Sequence, residues 1–126
     1  MLHVGMPPRL IRLVLAILFN CAEPEAITLA LTQIQQNARI QERLHRESTY
    51  LGAYANRLTP VASDWSLAES DGPQPMRSDL SPQQYFQNFV QPWTRDLNVR
   101  LVGGCCGITP EHIAFIKSNI ASIKYD

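Results

Sequence analysis

The sequence predicts an α/β domain made of strand–helix units whose strands run parallel. Apolar runs of strand length occur at Leu13–Asn20, Tyr50–Asn56 and Val99–Val102. Each is followed, at once or after a loop, by a stretch with helical periodicity, and this alternation is the pattern of a parallel sheet covered by helices. All three runs end in residues that carry chemistry: Asn20-Cys21, Asn56, and Gly103-Gly104-Cys105-Cys106. The C-terminal ends of parallel strands are where α/β folds place their sites.

Taken in order, Met1–Arg12 carries Pro7-Pro8 without a clear period and reads as an irregular lead-in, so the domain proper spans Leu13–Asp126. Leu13–Asn20 is a near-continuous apolar run, as in a strand buried on both faces. Arg9 and Arg12 before that run give it some likeness to a signal peptide ending, as in a lipoprotein leader, at Cys21. Asn20 is bulky where cleavage wants a small residue, and Glu23-Pro24-Glu25 follows at once, so a strand is the better reading. The run is also too short to span a bilayer.

Pro24 opens a helix whose apolar stripe is Ile27, Ala30, Leu31, Ile34 and Ala38. The charged stretch Arg39–Glu47 is expected to be a solvated helix end or loop. Tyr50–Asn56 is the second strand. Arg57–Leu80, with Pro60, Gly72, Pro73 and Pro75, has no period and reads as a long loop, a length usually reserved for function or mobility. Ser81 and Gln84 fit a capping box. The helix after it shows Tyr85, Phe86, Phe89, Val90, Trp93 and Leu97 on one stripe, with Pro92 inside, where a kink is expected. After the third strand, Thr109 is the N-cap of a last helix, with Pro110 at its first position and Glu111 beside the positive end of its dipole. That helix should bury Ile113, Ile116, Ile120 and Ile123 and end near Ile123. His112 is expected to serve the cap or the packing rather than to be a ligand.

The 126 residues are 45% hydrophobic and 17% charged, with eleven basic and eleven acidic side chains. This is the composition of one globular domain or part of a larger one. No field of one sign draws the chain to nucleic acid or to an anionic membrane. Three cysteines, two of them adjacent, do not make a disulfide scaffold; they point to a metal site or reactive thiols in a reducing compartment, here the cytoplasm. Two strand ends deliver Cys21 and the Cys105–Cys106 pair to one face of the sheet. Three thiolates meeting there suit zinc with its fourth position open, and Gly103, Gly104 and Gly107 let the backbone fold tightly around such a site. Spacing alone leaves a vicinal disulfide, a redox pair or buried bystanders as rivals.

The block Gly103-Gly104-Cys105-Cys106-Gly107 with Thr109-Pro110-Glu111-His112-Ile113 resembles the C-terminal signature of homocysteine S-methyltransferases. Asn20-Cys21 with Pro24-Glu25 is similar to that family's first zinc-ligand segment. Gly52-Ala53-Tyr54-Ala55-Asn56 resembles its Y-x-N strand, and Trp93 stands where these proteins carry a tryptophan before the last strand. The resemblance runs from about Leu13 to the C-terminus. It implies the last three strand–helix units of a (β/α)8 TIM-type barrel, a fold of ~250 residues. It further implies zinc held by Cys21, Cys105 and Cys106, with the thiol of homocysteine in the fourth position and methionine as product. Asn20, Asn56, Gly103 and Gly104 are the residues expected to line the substrate pocket. The long loop with Asp64, Trp65 and Leu67 looks most like enzymes using a sulfonium donor such as S-methylmethionine. The barrel's other five units would carry the residues that hold the amino and carboxylate groups of homocysteine. The expected partners are therefore homocysteine, a small methyl donor, and either an N-terminal barrel portion or further copies of the chain. The alternative is a non-catalytic, truncated zinc- or thiol-binding remnant or an interaction module.

Overall fold

The computed structural model describes residues 14–60, 63–64, 66 and 75–123. The expected lead-in, Leu13, Trp65 and Leu67 lie outside them. The chain runs β1 (Ala16–Asn20), α1 (Pro24–Gln35), α2 (Ala38–Glu47), β2 (Tyr50–Tyr54), α3 (Pro82–Tyr85), a π-helical turn (Phe86–Val90), α4 (Gln91–Asp96), β3 (Val99–Val102), α5 (Pro110–Asn119) and a 3₁₀ turn (Ile120–Ser122). The sheet has order β1-β2-β3 and both pairings are parallel, as the alternation predicts. Ile17 pairs with Leu51 and Phe19 with Ala53, while Leu51 pairs with Val99 and Ala53 with Val102 across a one-residue irregularity.

The helices cover one face. Ile27 and Leu31 from α1, Tyr85, Phe86, Val90 and Trp93 from the α3–α4 helix, and Ile116 from α5 close over Leu51, Ala53 and Val99. Trp93 is fully buried and donates its indole N–H to the Thr28 hydroxyl at 2.7 Å, so a single side chain ties α4 to α1. The opposite face is open. Leu18 and Leu101, each 40% exposed, meet over Gly52, where an added Cβ would overlap the Leu18 side chain and come within 3.0 Å of Leu101.

This open face corrects the expectation that the first strand is buried on both sides. Ile17 and Leu18 are exposed, as are Val14 and Leu15 ahead of the strand, because β1 is an edge with β2 as its one neighbour among the described residues. The first helical stripe is also shorter than expected. α1 stops at Gln35, and Ala38 begins a second helix instead of ending the first. Asn37 caps α2 by accepting from the Ile40 N–H at 3.1 Å, and the Arg43–Glu47 and Arg46–Glu42 pairs lie at i,i+4 spacing. Leu44 anchors this otherwise solvated helix. Pro92 is accommodated by the π-helical turn before it, in which the Gln91 N–H reaches back five residues to the Phe86 carbonyl. α5 stops at Asn119, short of the expected end near Ile123; Ile116 within it and Ile123 after the 3₁₀ turn are buried, but Ile113 is 44% exposed and its place on the inward face is taken by His112.

The Trp93 tie makes a stability prediction. Trp93→Ala removes the largest fully buried side chain and its bond to the Thr28 hydroxyl, which keeps its own bond to the Pro24 carbonyl, and should cost about 3–5 kcal/mol. A urea titration followed by circular dichroism measures it as a lowered midpoint.

Candidate metal centre

The site begins where the strands stop. Cys21, the residue after β1, has a φ of 53°, a left-handed conformation that L side chains rarely adopt. It is held there from both sides. Its N–H donates to the Tyr54 carbonyl at 2.8 Å, and its own carbonyl accepts from the Asn56 side-chain amide at 3.1 Å. The Asn56 N–H donates to the Ala22 carbonyl, and its side-chain oxygen accepts from the Leu58 N–H at 3.2 Å.

The other two thiols come from the far side of β2. The Gly103 N–H donates to the Ala53 carbonyl at 3.1 Å, the Cys105 N–H to the Ala55 carbonyl at 2.9 Å, and the Arg57 N–H to the Cys106 carbonyl at 2.7 Å. The chain then reverses through Cys105-Cys106-Gly107-Ile108, closed by the Ile108 N–H on the Cys105 carbonyl at 3.1 Å. Gly107, third in this turn, has a φ of 81°, the value that makes glycine the fitting residue there. A Cβ on Gly107 would also lie 2.5 Å from the Met76 sulfur and 2.9 Å from the Arg57 Cβ. At Gly104 an added Cβ would overlap the Ile108 side chain, so the missing side chain is what lets the turn close.

The outcome is a cluster of three free thiols whose sulfurs all lie within 4.8 Å of one another. Cys21 and Cys106 are 3.7 Å apart, and Cys105 and Cys106 are 3.9 Å apart. A tetrahedral zinc with bonds of about 2.3 Å separates its sulfur ligands by about 3.8 Å. The three residues therefore fit such an ion. Their exposure sets aside the bystander reading, since Cys21 and Cys106 are both open to solvent.

The electrostatics agree with cation binding. A hydrogen bond from the Cys105 thiol holds Cys21 below the usual thiol range, helped by the Cys106 backbone N–H and by Asn56. The same bond pushes Cys105 up to about 11, because its proton is shared with the Cys21 thiolate. The two thiols are thus pushed in opposite directions, and a bound cation would favour the thiolate at both.

The residues expected to line the substrate pocket fall into two groups. Asn20 and Gly104 are exposed at the strand ends beside the thiols. Asn56 is 9% exposed and both ends of its amide are engaged by backbone, while the Gly103 N–H and carbonyl are taken by Ala53 and by the Tyr85 hydroxyl.

Sequence reasoning missed a clamp over the turn. Leu58 and Met76 form an antiparallel bridge, and Arg77 and Thr59 continue it through the Arg57 and Pro75 carbonyls. The Arg77 guanidinium binds both oxygens of Glu25, at 2.8 and 2.6 Å, and also Asp79. The two ends of the expected long loop are thereby pinned to the start of α1. Glu25 in the first turn and a proline at its side were visible; an arginine 52 positions on has no local signature.

A parallel α/β domain with three thiols at its strand ends that could hold a metal ion defines the class. The family model described as homocysteine S-methyltransferase matches residues 4–120, and the chain belongs to that family. The match starts ahead of Leu13, within the stretch read from sequence as a lead-in. No solved structure matches the chain.

Two predictions come from this geometry. Gly107→Ala forces a Cβ into a left-handed position and against Met76, and should destabilise by about 1–2 kcal/mol in a urea titration. The second concerns pH. Arg77 lowers the pKa of Glu25, and a carboxylate with a lowered folded-state pKa contributes stability above its unfolded value and loses it as pH falls through the folded one. The difference in urea midpoint between wild type and Arg77→Gln should therefore be larger at pH 7 than at pH 3.

Proposed function

We propose that this chain carries the metal-holding part of a zinc-dependent methyltransferase that methylates the thiol of homocysteine to give methionine. The observation that carries the reading is the convergence of Cys21, Cys105 and Cys106 within 4.8 Å at the C-terminal ends of parallel strands. Family membership supports methyl transfer in general. In the proposal the three strand–helix units are a section of a (β/α)8 barrel, whose inner wall is the open face bearing Leu18 and Leu101.

Zinc, when bound, supplies the positive charge that keeps a substrate sulfur deprotonated at neutral pH, where a free thiol of pKa ~8.5 is mostly protonated. The chain's own residues do the rest. Cys21, Cys105 and Cys106 would hold the ion through three sulfurs, which leaves one of its four ligand positions for an incoming thiol. The Asn56 amide keeps Cys21 in its left-handed turn, and Asn20 and Gly104 stand at the rim where the substrate would arrive.

A sulfonium donor such as S-methylmethionine suits the site. Its leaving group departs as a neutral thioether and needs no proton. Among the described residues no carboxyl group or histidine hydrogen-bonds to the three thiols. The groups that would grip the amino and carboxylate ends of homocysteine are assigned to barrel units other than these three. Reduced thiols of this kind belong in a reducing compartment, and the cytoplasm is the proposed location. Among the described residues no helix is long and apolar enough to cross a membrane.

The exposed apolar wall favours a second reading, a zinc- or thiol-binding module without turnover. The two are separated by assay. The purified chain should take up about one zinc, and Cys106→Ser should abolish uptake. Methionine formation from homocysteine and S-methylmethionine should be absent with this chain alone and appear when the remaining barrel units are supplied in trans. Failure of the assembled protein to form methionine, with zinc bound, would favour the module. Failure of the chain to take up zinc would sink the metal site itself.

A further inference from the structure

The turn that carries Cys105 and Cys106 is gripped at both ends by buried side chains that the chemistry above does not use. At its start, Tyr85 on α3, fully buried, donates its hydroxyl to the Gly103 carbonyl at 2.9 Å. At its end, His112 on α5, 1% exposed, accepts the Thr109 N–H at Nδ1 over 3.0 Å, with the Thr109 hydroxyl 2.9 Å from the same nitrogen. With Nδ1 accepting from the backbone, the ring proton is on Nε2, which donates to the Leu80 carbonyl at 2.8 Å. The two rings pack edge to face, their centroids 6.0 Å apart.

Burying a phenol and an imidazole costs free energy unless their polar atoms find partners. Here the Tyr85 hydroxyl and the His112 Nδ1 bond to the two ends of the turn, at Gly103 and Thr109, and the His112 Nε2 bonds to the Leu80 carbonyl ahead of α3. Simple packing would be served by phenylalanine and leucine. Burial pushes the Tyr85 hydroxyl up to about 12, so it remains a donor at neutral pH. Leu80 directly precedes Ser81, the cap of α3, so His112 also ties the start of α5 to the start of the helix that carries Tyr85.

We propose that Tyr85 and His112 form a brace that sets the pitch of the Gly103–Thr109 turn, and with it the spacing of Cys105 and Cys106 from Cys21. They are positioning residues for the thiol site. The inference rests on the metal reading above in one respect, that the spacing matters to a bound cation.

The test uses the full chain and two probes: Co²⁺, read by its sulfur-to-metal charge-transfer absorption, and arsenite, scored as its three-sulfur adduct with all three cysteines protected from alkylation. Tyr85→Phe removes one hydroxyl and keeps the ring. His112→Gln keeps an acceptor for the Thr109 N–H in the manner of a capping box and loses the bond to Leu80. His112→Phe loses both. Tyr85→Phe and His112→Phe should weaken Co²⁺ by about tenfold or more, the usual effect of removing an outer support of a metal site. His112→Gln should fall between His112→Phe and wild type, and arsenite should follow the same order. Tyr85→Phe, the mildest change, decides the matter where His112→Phe does not fold. Folded variants that bind both probes as wild type does would overturn the brace. Wild type that takes arsenite but not Co²⁺ would overturn the metal reading alone, with the brace judged by arsenite; wild type that takes neither would overturn both.

Discussion

The backbone of residues 53–57, the end of β2 and its continuation, is what the site depends on. On one side it fixes Cys21, through the Tyr54 carbonyl and the Asn56 side chain and N–H. On the other it fixes the Gly103–Cys106 segment, through the Ala53 and Ala55 carbonyls and the Arg57 N–H. The parallel register of β1 and β3 on β2 brings the two ends level, and these hydrogen bonds carry the pairing past the strands into the turns. Neither turn alone could bring its thiol to the others, because the partners are 84 and 85 positions apart in sequence. The thiol cluster is therefore a product of the sheet. Disrupting the central strand should disperse the thiols even where every cysteine is kept.

The same arrangement explains why unusual backbone is tolerated at this end. Cys21 and Gly107 both have positive φ, one at each flank of the spine: Cys21 is held there by its bonds to Tyr54 and Asn56, and Gly107 adopts it freely for want of a Cβ. The opposite face of the sheet is in another condition, with Leu18 and Leu101 exposed on strands that, among the described residues, are both edges. An apolar parallel sheet with open edges is a surface that calls for cover. Such a face is compatible with part of a TIM-type barrel.

Much of this was legible in the sequence because the signals were local. Val99–Val102, the Ser81–Gln84 capping box and the Thr109-Pro110 helix start are each set by a few neighbouring residues, and each stands where it was read. The thiol cluster was legible for a topological reason: parallel strands put their C-terminal ends on one side. What could not be read was long-range or depended on absent cover. The exposure of Ile17 and Leu18 follows from β1 having one neighbour, which no property of its own residues reveals. Arg39–Glu47 forms a helix because Asn37 caps it and its charges pair at i,i+4, a composition equally compatible with a loop. The bonds of Arg77 to Glu25 and of His112 to Leu80 join positions that share no periodicity.

The central claim is that one cation is held by all three sulfurs at once. X-ray absorption at the zinc edge of the zinc-loaded chain tests it most directly, since it counts and ranges the ligands without regard to turnover. The account predicts three sulfur scatterers at about 2.3 Å and one further ligand. A first shell with one sulfur or none, filled instead by nitrogen and oxygen, would contradict it.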